Sequence, residues 1–162
     1  MDGTHIHLLL THFPIMGTLI ASAIMIWAII KNNPKFKDFA AGLVIVLAAS
    51  AIIVNTTGES AEETVEKIPG VAETSIKVHE EAAQPALIIT LAAGLVCAVF
   101  LFFSLRKLPM RKSLFTVCTV LTLLAFAAMA RAGYYGGQIR HTEVAGGVTS
   151  TPGAIDQTDV ED

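Results

Sequence analysis

Histidine is the residue through which this chain could do chemistry, and its five copies stand where apolar stretches begin or end. His79 precedes one such stretch, and His141 follows the last one. At the entrance of the first stretch stand His5, His7 and His12. Desolvating an imidazole without a partner is costly, so histidines at a membrane boundary favour a functional interpretation. Imidazole nitrogens bind haem iron as well as copper, zinc and non-haem iron.

The composition is typical of an integral membrane protein. Of the 162 residues, 53% are hydrophobic and 15% are charged, and the mean hydropathy is +0.62, which is too apolar for an ordinary soluble domain. The net charge is -3 and no basic patch is present, so we expect no nucleic-acid partner. Cys97 and Cys118 lie inside apolar runs, where an inert buried thiol is the usual case, and neither is assigned a role.

The elements that must position the histidines are apolar segments of membrane-spanning length. A helix needs about 20 apolar residues to cross the hydrocarbon core. Four segments meet or approach this length, at about residues 7–30, 39–55, 82–105 and 113–135. The second is the shortest and could also be a half-buried helix, but the charge pattern favours four spans. The sequence therefore predicts an all-α, antiparallel bundle of four transmembrane helices over residues 1–145.

The charge pattern predicts the orientation of the bundle. The loops KNNPKFK and RKLPMRK hold seven of the eleven Lys and Arg residues, and positive loops stay in the cytoplasm. The N-terminus, the connection over 56–81 and the C-terminus are then expected on the outer, periplasmic face of a bacterial inner membrane, in a multi-pass protein. Aromatic residues agree, because Trp27 and Phe36 flank the cytoplasmic ends while Tyr134 and Tyr135 reach the outer interface.

The outer connection shows signs of structure of its own. Ser60 followed by Glu63 matches a capping box, which predicts a short helix over about 61–68. A second helix is predicted to start near 74–75 and to run on into the third span. Pro85 is then either a kink or the first turn of a new helix.

The end of the chain contains both a predicted helix end and a predicted disordered tail. Three glycines near the end of the fourth span predict that the helix stops there, at Gly133, Gly136 and Gly137. His141 then lies just outside the span. The last stretch, 146–162, is polar and acidic and is predicted to be disordered.

With this topology, all five histidines share one membrane face. Helix ends of a four-helix bundle form a funnel in which metal and cofactor sites are commonly built. In a continuous helix His7 and His12 diverge by roughly 140°, so both cannot easily bind one metal. Either Pro14 marks the helix start and leaves His7 on an N-terminal arm, or the two histidines serve different partners. The charged residues that share this face include Glu59, Glu80, Arg131 and Arg140.

Each of these residues also has a plain structural interpretation. His5 fits a solvated side chain, and the glutamates fit a solvated face. His79 and His141 would each pass for ordinary amphipathic surface, and only their placement with His12 favours a site. Arg131 follows the uncharged part of the fourth apolar segment. Its side chain either extends to the membrane–water interface or pairs with a carboxylate or a haem propionate.

Four sequence motifs resemble those of a known family. HLLLTHFPI at 7–15, TGE at 57–59, HE at 79–80 and GGQIRHTE at 136–143 resemble the small bacterial membrane proteins called Domain of Unknown Function 2231. The match covers about residues 5–145. It departs at Leu8, where the family often has Pro, and at the residues after His141. The resemblance implies four helices. Relatives joined to Rieske or cytochrome c modules imply a link with electron transfer.

The leading hypothesis is a membrane electron-transfer protein that binds haem b through histidines of different helices. His12 is the first expected axial ligand, with His79 or His141 opposite. If His7 also ligates, four histidines could bind two haems. Arg131 or Arg140 would pair with propionates. The expected partners are membrane lipid, a larger respiratory or redox complex with a quinol-linked donor, and a periplasmic electron carrier.

Two alternatives remain open at the level of sequence. A non-haem copper, zinc or iron site could use the histidine cluster with carboxylate help, from His12, His79, His141, Glu59 and Glu80. A cofactor-free scaffold subunit of a membrane complex would use the histidines only as hydrogen-bonding groups. The chain has no G-x-S-x-G, Walker or Rossmann sequence, so no catalytic residue is assigned. This favours an electron-transfer or cofactor-binding protein over a stand-alone enzyme.

Overall fold

Four long helices make up the computed structural model of the chain, which describes residues 3–65, 73–109 and 112–140. The helices are α1 (Gly3–Lys31), α2 (Pro34–Val65), α3 (Glu73–Leu105) and α4 (Lys112–Arg140). Each contains a stretch long and apolar enough to cross a membrane, at Leu9–Lys31, Pro34–Gly58, Glu73–Leu105 and Ser113–Ile139. The predicted all-helical class, with four helices long and apolar enough to cross a membrane, is confirmed for these residues.

The helices form an up-down-up-down bundle. Both α1 and α3 pack along α2 and α4, whereas α2 and α4 touch each other only narrowly. In this arrangement α1 and α3 stand on opposite sides of the bundle. One end of the bundle, called here the histidine end, contains the starts of α1 and α3 and the ends of α2 and α4. The other, the basic end, contains the two short connections that follow Lys31 and Leu105.

The connections at the basic end are tight because one residue in each adopts left-handed backbone geometry. Asn32 has a φ of 46° and Lys107 a φ of 52°, and Asn is among the residues that tolerate this region best. The side chain of Asn33 then caps α2, since its Oδ1 accepts from the backbone N–H of Lys35 at 3.0 Å. Pro34 occupies the first helical position, where its missing N–H is not needed.

Two prolines that could have ended helices lie inside them. Pro14 lies within α1 and Pro85 within α3. The interpretation that places His7 on an arm before a helix start at Pro14 is therefore wrong, because His7 and His12 share one continuous helix. Proline is tolerated in membrane helices because neighbouring groups and local adjustments satisfy the freed backbone.

Helices α2 and α4 extend beyond their predicted ends. Ser60 lies inside α2, so it does not cap a separate short helix, and α2 continues as far as Val65. The predicted end of that short helix, 66–68, lies outside the described residues. Likewise α4 passes through its glycines to Arg140. Glycine is common in membrane helices, and here Gly133 and Gly136 allow close packing of their neighbours. The tail at 146–162 is outside the described residues.

The core consists mainly of small residues and of hydroxyls that are bonded within their own helix. Thr18 donates to the carbonyl of Pro14 at 2.8 Å, and Thr90 donates to that of Ala86 at 2.7 Å. The same bond to the residue four positions earlier is made by Ser22, Thr119 and Thr122. These bonds satisfy the buried hydroxyls, as burial requires. Large apolar side chains such as Leu95 and Ile30, 68% and 69% exposed, point outward and fit lipid contact.

The buried positions reveal an internal repeat. On α1 the buried residues are Pro14, Thr18, Ala21, Ser22, Met25 and Ala28. Adding 72 to each number gives Ala86, Thr90, Ala93, Gly94, Cys97 and Phe100, which are all buried on α3. Near the start of α2 the buried residues are Ala40, Ala41, Val44 and Leu47, and adding 78 gives the buried Cys118, Thr119, Thr122 and Ala125 of α4. Further along α2, Ala48 and Ala51 are buried, whereas the residues 78 positions later, Phe126 and Met129, are only half-buried.

The bundle therefore consists of two similar hairpins, the first formed by α1 and α2 and the second by α3 and α4. Each hairpin packs its first helix against the second helix of the other. This is the arrangement of a parallel repeat, whose halves are related by an approximate twofold axis along the bundle.

Candidate functional site

His7 is held against the second helix of its own hairpin. Its Nδ1 lies 3.0 Å from the carbonyl oxygen of Val54 and 3.4 Å from Oγ1 of Thr57. The ring rests on Gly58, where an added Cβ would lie 3.3 Å from the Cε1 of His7. A carbonyl oxygen can only accept, so Nδ1 carries the proton. The Nε2 of the neutral ring is then a free lone pair, as in a metal-binding imidazole.

His79 repeats this arrangement in the second hairpin. Its Nδ1 lies 3.0 Å from the carbonyl oxygen of Ala132. The ring rests on Gly136, where a Cβ would lie 3.0 Å from Cε1 and 3.1 Å from Nδ1. In both hairpins the accepting carbonyl comes one helical turn before the glycine. A glycine notch thus lets each ring reach a backbone carbonyl that a side chain would otherwise cover.

The repeat brings the two imidazoles to the same depth from opposite sides of the bundle. His79 is the residue 72 positions after His7, the same offset that relates the buried faces of α1 and α3. The pKa of His7 is lowered, first by burial, which the hydrogen bond that His7 donates to the Val54 carbonyl opposes, and further by the nearby charge of His79. Only groups close together in space interact in this way. His7 therefore resists protonation beside His79.

The floor of this site is formed by small side chains. Around His79, Ala82, Ala86 and Ala132 are buried, and Tyr135 packs against them. Close packing also joins the two hairpins here, because a Cβ at Gly133 of α4 would lie 2.8 Å from the side chain of Ile15 on α1. We call the two notched histidines, His7 and His79, the imidazole pair.

The structure places the other sequence-predicted residues less centrally. His12 is exposed on α1, and Glu80 is exposed on α3. Arg131 is exposed on α4, and its guanidinium lies over the ring of Tyr135, 5.7 Å from the centroid. Glu59 and Arg140 belong to α2 and α4, but their side chains lie outside the described part, as does the whole of His141.

Within the described side chains no group of three or more His, Cys, Asp and Glu residues could hold a metal ion. At the histidine end, the imidazole pair consists of two described histidines whose rings are each held by a partner helix.

Sequence reasoning missed the groups that hold the imidazole pair. Gly58 and Gly136 stand in the TGE and GGQ motifs, yet Gly136 was interpreted as part of a helix end. A signal was present, because a His and a Gly recur together, His7 with Gly58 and His79 with Gly136. The offsets of 72 and 78 differ, so no single repeat length aligns both pairs.

Comparison of the chain with known protein families, curated proteins and solved structures finds no match. The resemblance to Domain of Unknown Function 2231 therefore rests on the four motifs quoted above.

Proposed function

We propose that this protein is a membrane electron-transfer protein that binds one haem b between His7 and His79. The observation that carries the proposal is the imidazole pair itself: two histidines on opposite helices, each with Nδ1–H bound to a backbone carbonyl, so that the lone pair of the neutral ring is on Nε2. A low-spin haem takes its other four donors from the macrocycle and needs two from the protein. A ligating histidine usually donates its second ring N–H to a carbonyl or carboxylate, as both do here.

The residues of the pair fit haem better than a bare metal ion. Structural zinc takes four protein ligands, and catalytic zinc three. The pair supplies two matched imidazoles, which is the number that a bis-histidine haem requires. His7 thus replaces His12 as the first candidate axial ligand on α1, and His79 is the candidate ligand opposite. Arg131, a described cation of the histidine end, is the candidate partner for a propionate.

Haem, when bound, supplies a one-electron carrier. The protein's own residues determine the tautomer, orientation and protonation of its ligands and the access of water. The carbonyls of Val54 and Ala132 fix each ring's tautomer and orientation. Burial keeps the pKa of His7 low, so its Nε2 is not protonated near neutral pH. The buried alanines below His79 keep water from that side of the pair. Electrons would pass between a donor in the membrane and a periplasmic carrier.

The proposal includes the orientation of the bundle. Seven of the eleven Lys and Arg residues lie in or beside the two connections of the basic end, which favours the cytoplasm for that end and the periplasm for the histidine end. A reporter fused after Asp162 that is active only outside the cytoplasm is expected. Activity only inside the cytoplasm would reverse the orientation and place the imidazole pair on the cytoplasmic side.

The decisive test is a dithionite-reduced minus oxidised absorption spectrum of the full chain, purified in mild detergent, together with metal analysis. We expect sharp b-type bands and one iron per chain. A flat spectrum from protein that contains copper, zinc or iron would replace haem by a bare metal site. A flat spectrum from metal-free protein would leave the scaffold hypothesis.

A further inference from the structure

Three sulfur-bearing side chains lie in the core of the bundle, near its basic end and away from the histidine end. Met25 on α1, Cys97 on α3 and Cys118 on α4 are each 0% exposed and belong to one buried cluster. Both cysteines are free thiols. Along α3, Cys97 lies 18 residues from His79, which is about 27 Å at the helical rise. This sulfur cluster is therefore distinct from the imidazole pair and takes no part in the proposed haem site.

The packing of α3 on α4 brings the two cysteines face to face. The rings of Phe100 and Phe115 pack against each other between these antiparallel helices, with centroids 5.0 Å apart and planes tilted by 51°. Three residues before Phe100 is Cys97, and three after Phe115 is Cys118, so the same register places them opposite each other. Both thiols are fully buried within the same cluster.

The repeat brings Met25 to the same depth from the first hairpin. Met25 is the counterpart of Cys97, since the two differ by the offset of 72. Equivalent residues of a parallel repeat lie at equal depth along the bundle axis. The counterpart of Cys118 is Ala40, so this layer of the core contains two thiols, one thioether and a methyl group. The residues next to Met25 on the buried face of α1 are also small, Ala21 and Ala28.

We propose that Met25, Cys97 and Cys118 form a binding site for Cu(I). Thiolate and thioether sulfur are soft ligands that select Cu(I) over harder cations. On binding, two S–H protons leave, two S–Cu bonds form, and the ion stays in the +1 state, so no oxidant or reductant is needed. Met25 adds a neutral third donor from the first hairpin. Structural zinc is disfavoured because it takes four ligands.

The test is competition for Cu(I) between the full chain and a coloured Cu(I) chelator, under anaerobic reducing conditions in mild detergent. We expect one Cu(I) per chain to resist the chelator. The variants Cys97→Ser and Cys118→Ser should each lose this copper. Met25→Leu should weaken retention by at least about tenfold, the lower limit for the loss of even an outer-shell partner. Unchanged retention in the cysteine variants would overturn the proposal.

Two controls separate this site from the histidine end. The variants His7→Ala and His79→Ala should keep the copper, and loss of copper only in these variants would assign it to the imidazoles instead. The b-type bands should in turn survive Cys97→Ser. If the cysteine variants fail to fold, X-ray absorption of the copper-loaded wild-type chain still decides, because the proposal requires sulfur neighbours and a shell of nitrogen and oxygen alone contradicts it.

Discussion

The two hairpins have the same helical arrangement, but their residues at equivalent positions agree in one region and differ in another. At the histidine end they agree, because His7 and His79 each rest on a glycine and bind a carbonyl of the paired helix. In the core near the basic end they differ, since Cys97 and Cys118 of the second hairpin correspond to Met25 and Ala40 of the first. A ligand on the approximate twofold axis needs matched donors from both halves. The agreement therefore favours one shared cofactor, while the sulfur cluster depends mainly on the second hairpin.

The most damaging change should be the removal of either member of the imidazole pair. His7→Ala and His79→Ala are each expected to reduce the b-type bands to less than about a tenth of the wild-type amplitude, because each deletes one axial ligand. The measurement is the reduced minus oxidised spectrum at equal protein concentration.

The matched control is His12→Ala, which changes an exposed histidine on the same helix. It should keep the bands. If His12→Ala abolishes them while His7→Ala does not, the axial ligand on α1 is His12 rather than His7.

Filling the glycine notches should have the next largest effect, and the two hairpins should differ. A Cβ at Gly136 would lie 3.0 Å from the ring of His79, tighter than the 3.3 Å between Gly58 and His7. Gly136→Ala should therefore displace its histidine and lower haem content more than Gly58→Ala does. Haem per chain and the position of the reduced band are the readouts.

Each helix offers its own control for this comparison. Nothing lies within 4 Å of a Cβ added at Gly42 on α2 or at Gly137 on α4. Gly42→Ala and Gly137→Ala should keep the haem and raise stability by about 0.5–1 kcal/mol, the usual gain from replacing glycine in a helix. Equal haem loss in Gly137→Ala and Gly136→Ala would show that the notch is not the cause.

The coupling between the two histidines predicts a pH dependence of stability. Burial and the charge of His79 hold the pKa of His7 below its usual 6.5. As the pH falls through 6.5, the unfolded chain takes up this proton before the folded one does. The contribution of His7 to stability is thus complete above pH 6.5, and it is lost as the pH falls toward the lower pKa of the folded state.

Thermal unfolding of the haem-free chain above and below pH 6.5 checks this sign. The wild-type chain should lose more stability on acidification than the His7→Gln variant, in which the titrating group is absent. His79→Gln should raise the pKa of His7 toward its usual value, which a histidine NMR titration measures directly. A pKa of His7 above 6.5 in the wild-type chain would contradict the predicted burial.

The helical fold could be predicted because long apolar runs report membrane helices directly. The ends of those helices could not be predicted, because glycine, proline and capping residues occur both at helix ends and inside membrane helices. Pro14 and Gly136 are helix breakers in an isolated chain, but inside a bundle neighbouring helices compensate for them. The capping box at Ser60 failed for a similar reason, since the preceding helix simply continues through it.

The candidate site could be predicted only to the level of a shared face. Helical spacing showed that His7 and His12 diverge, but it did not show which of them faces the bundle. That depends on the partner helix, where Gly58 and the Val54 carbonyl accept the ring of His7. Backbone carbonyls have no signature in a sequence, and a glycine that makes room for a ring is indistinguishable from a glycine that ends a helix.

The smallest expected effect concerns the one contact that His7 has and His79 lacks. Thr57 lies 3.4 Å from the Nδ1 of His7, and its counterpart 78 residues later is Tyr135. The contact is long, and the Thr57 hydroxyl already reaches the carbonyl of Ile53 at 3.0 Å. Thr57→Val should therefore cost no more than about 0.5 kcal/mol, at the lower limit for a hydrogen bond, and leave the reduced band in place.

Thr56→Val is the matched control, because Thr56 is exposed and its hydroxyl bonds only back to its own helix, to Ile53 at 2.9 Å. Unfolding free energy and haem content of the two valine variants should agree within error. If Thr57→Val instead lost haem as completely as His7→Ala, the hydroxyl rather than the Val54 carbonyl would set the tautomer of His7. The two hairpins would then hold their imidazoles by different means, and the case for a matched pair would rest on position alone.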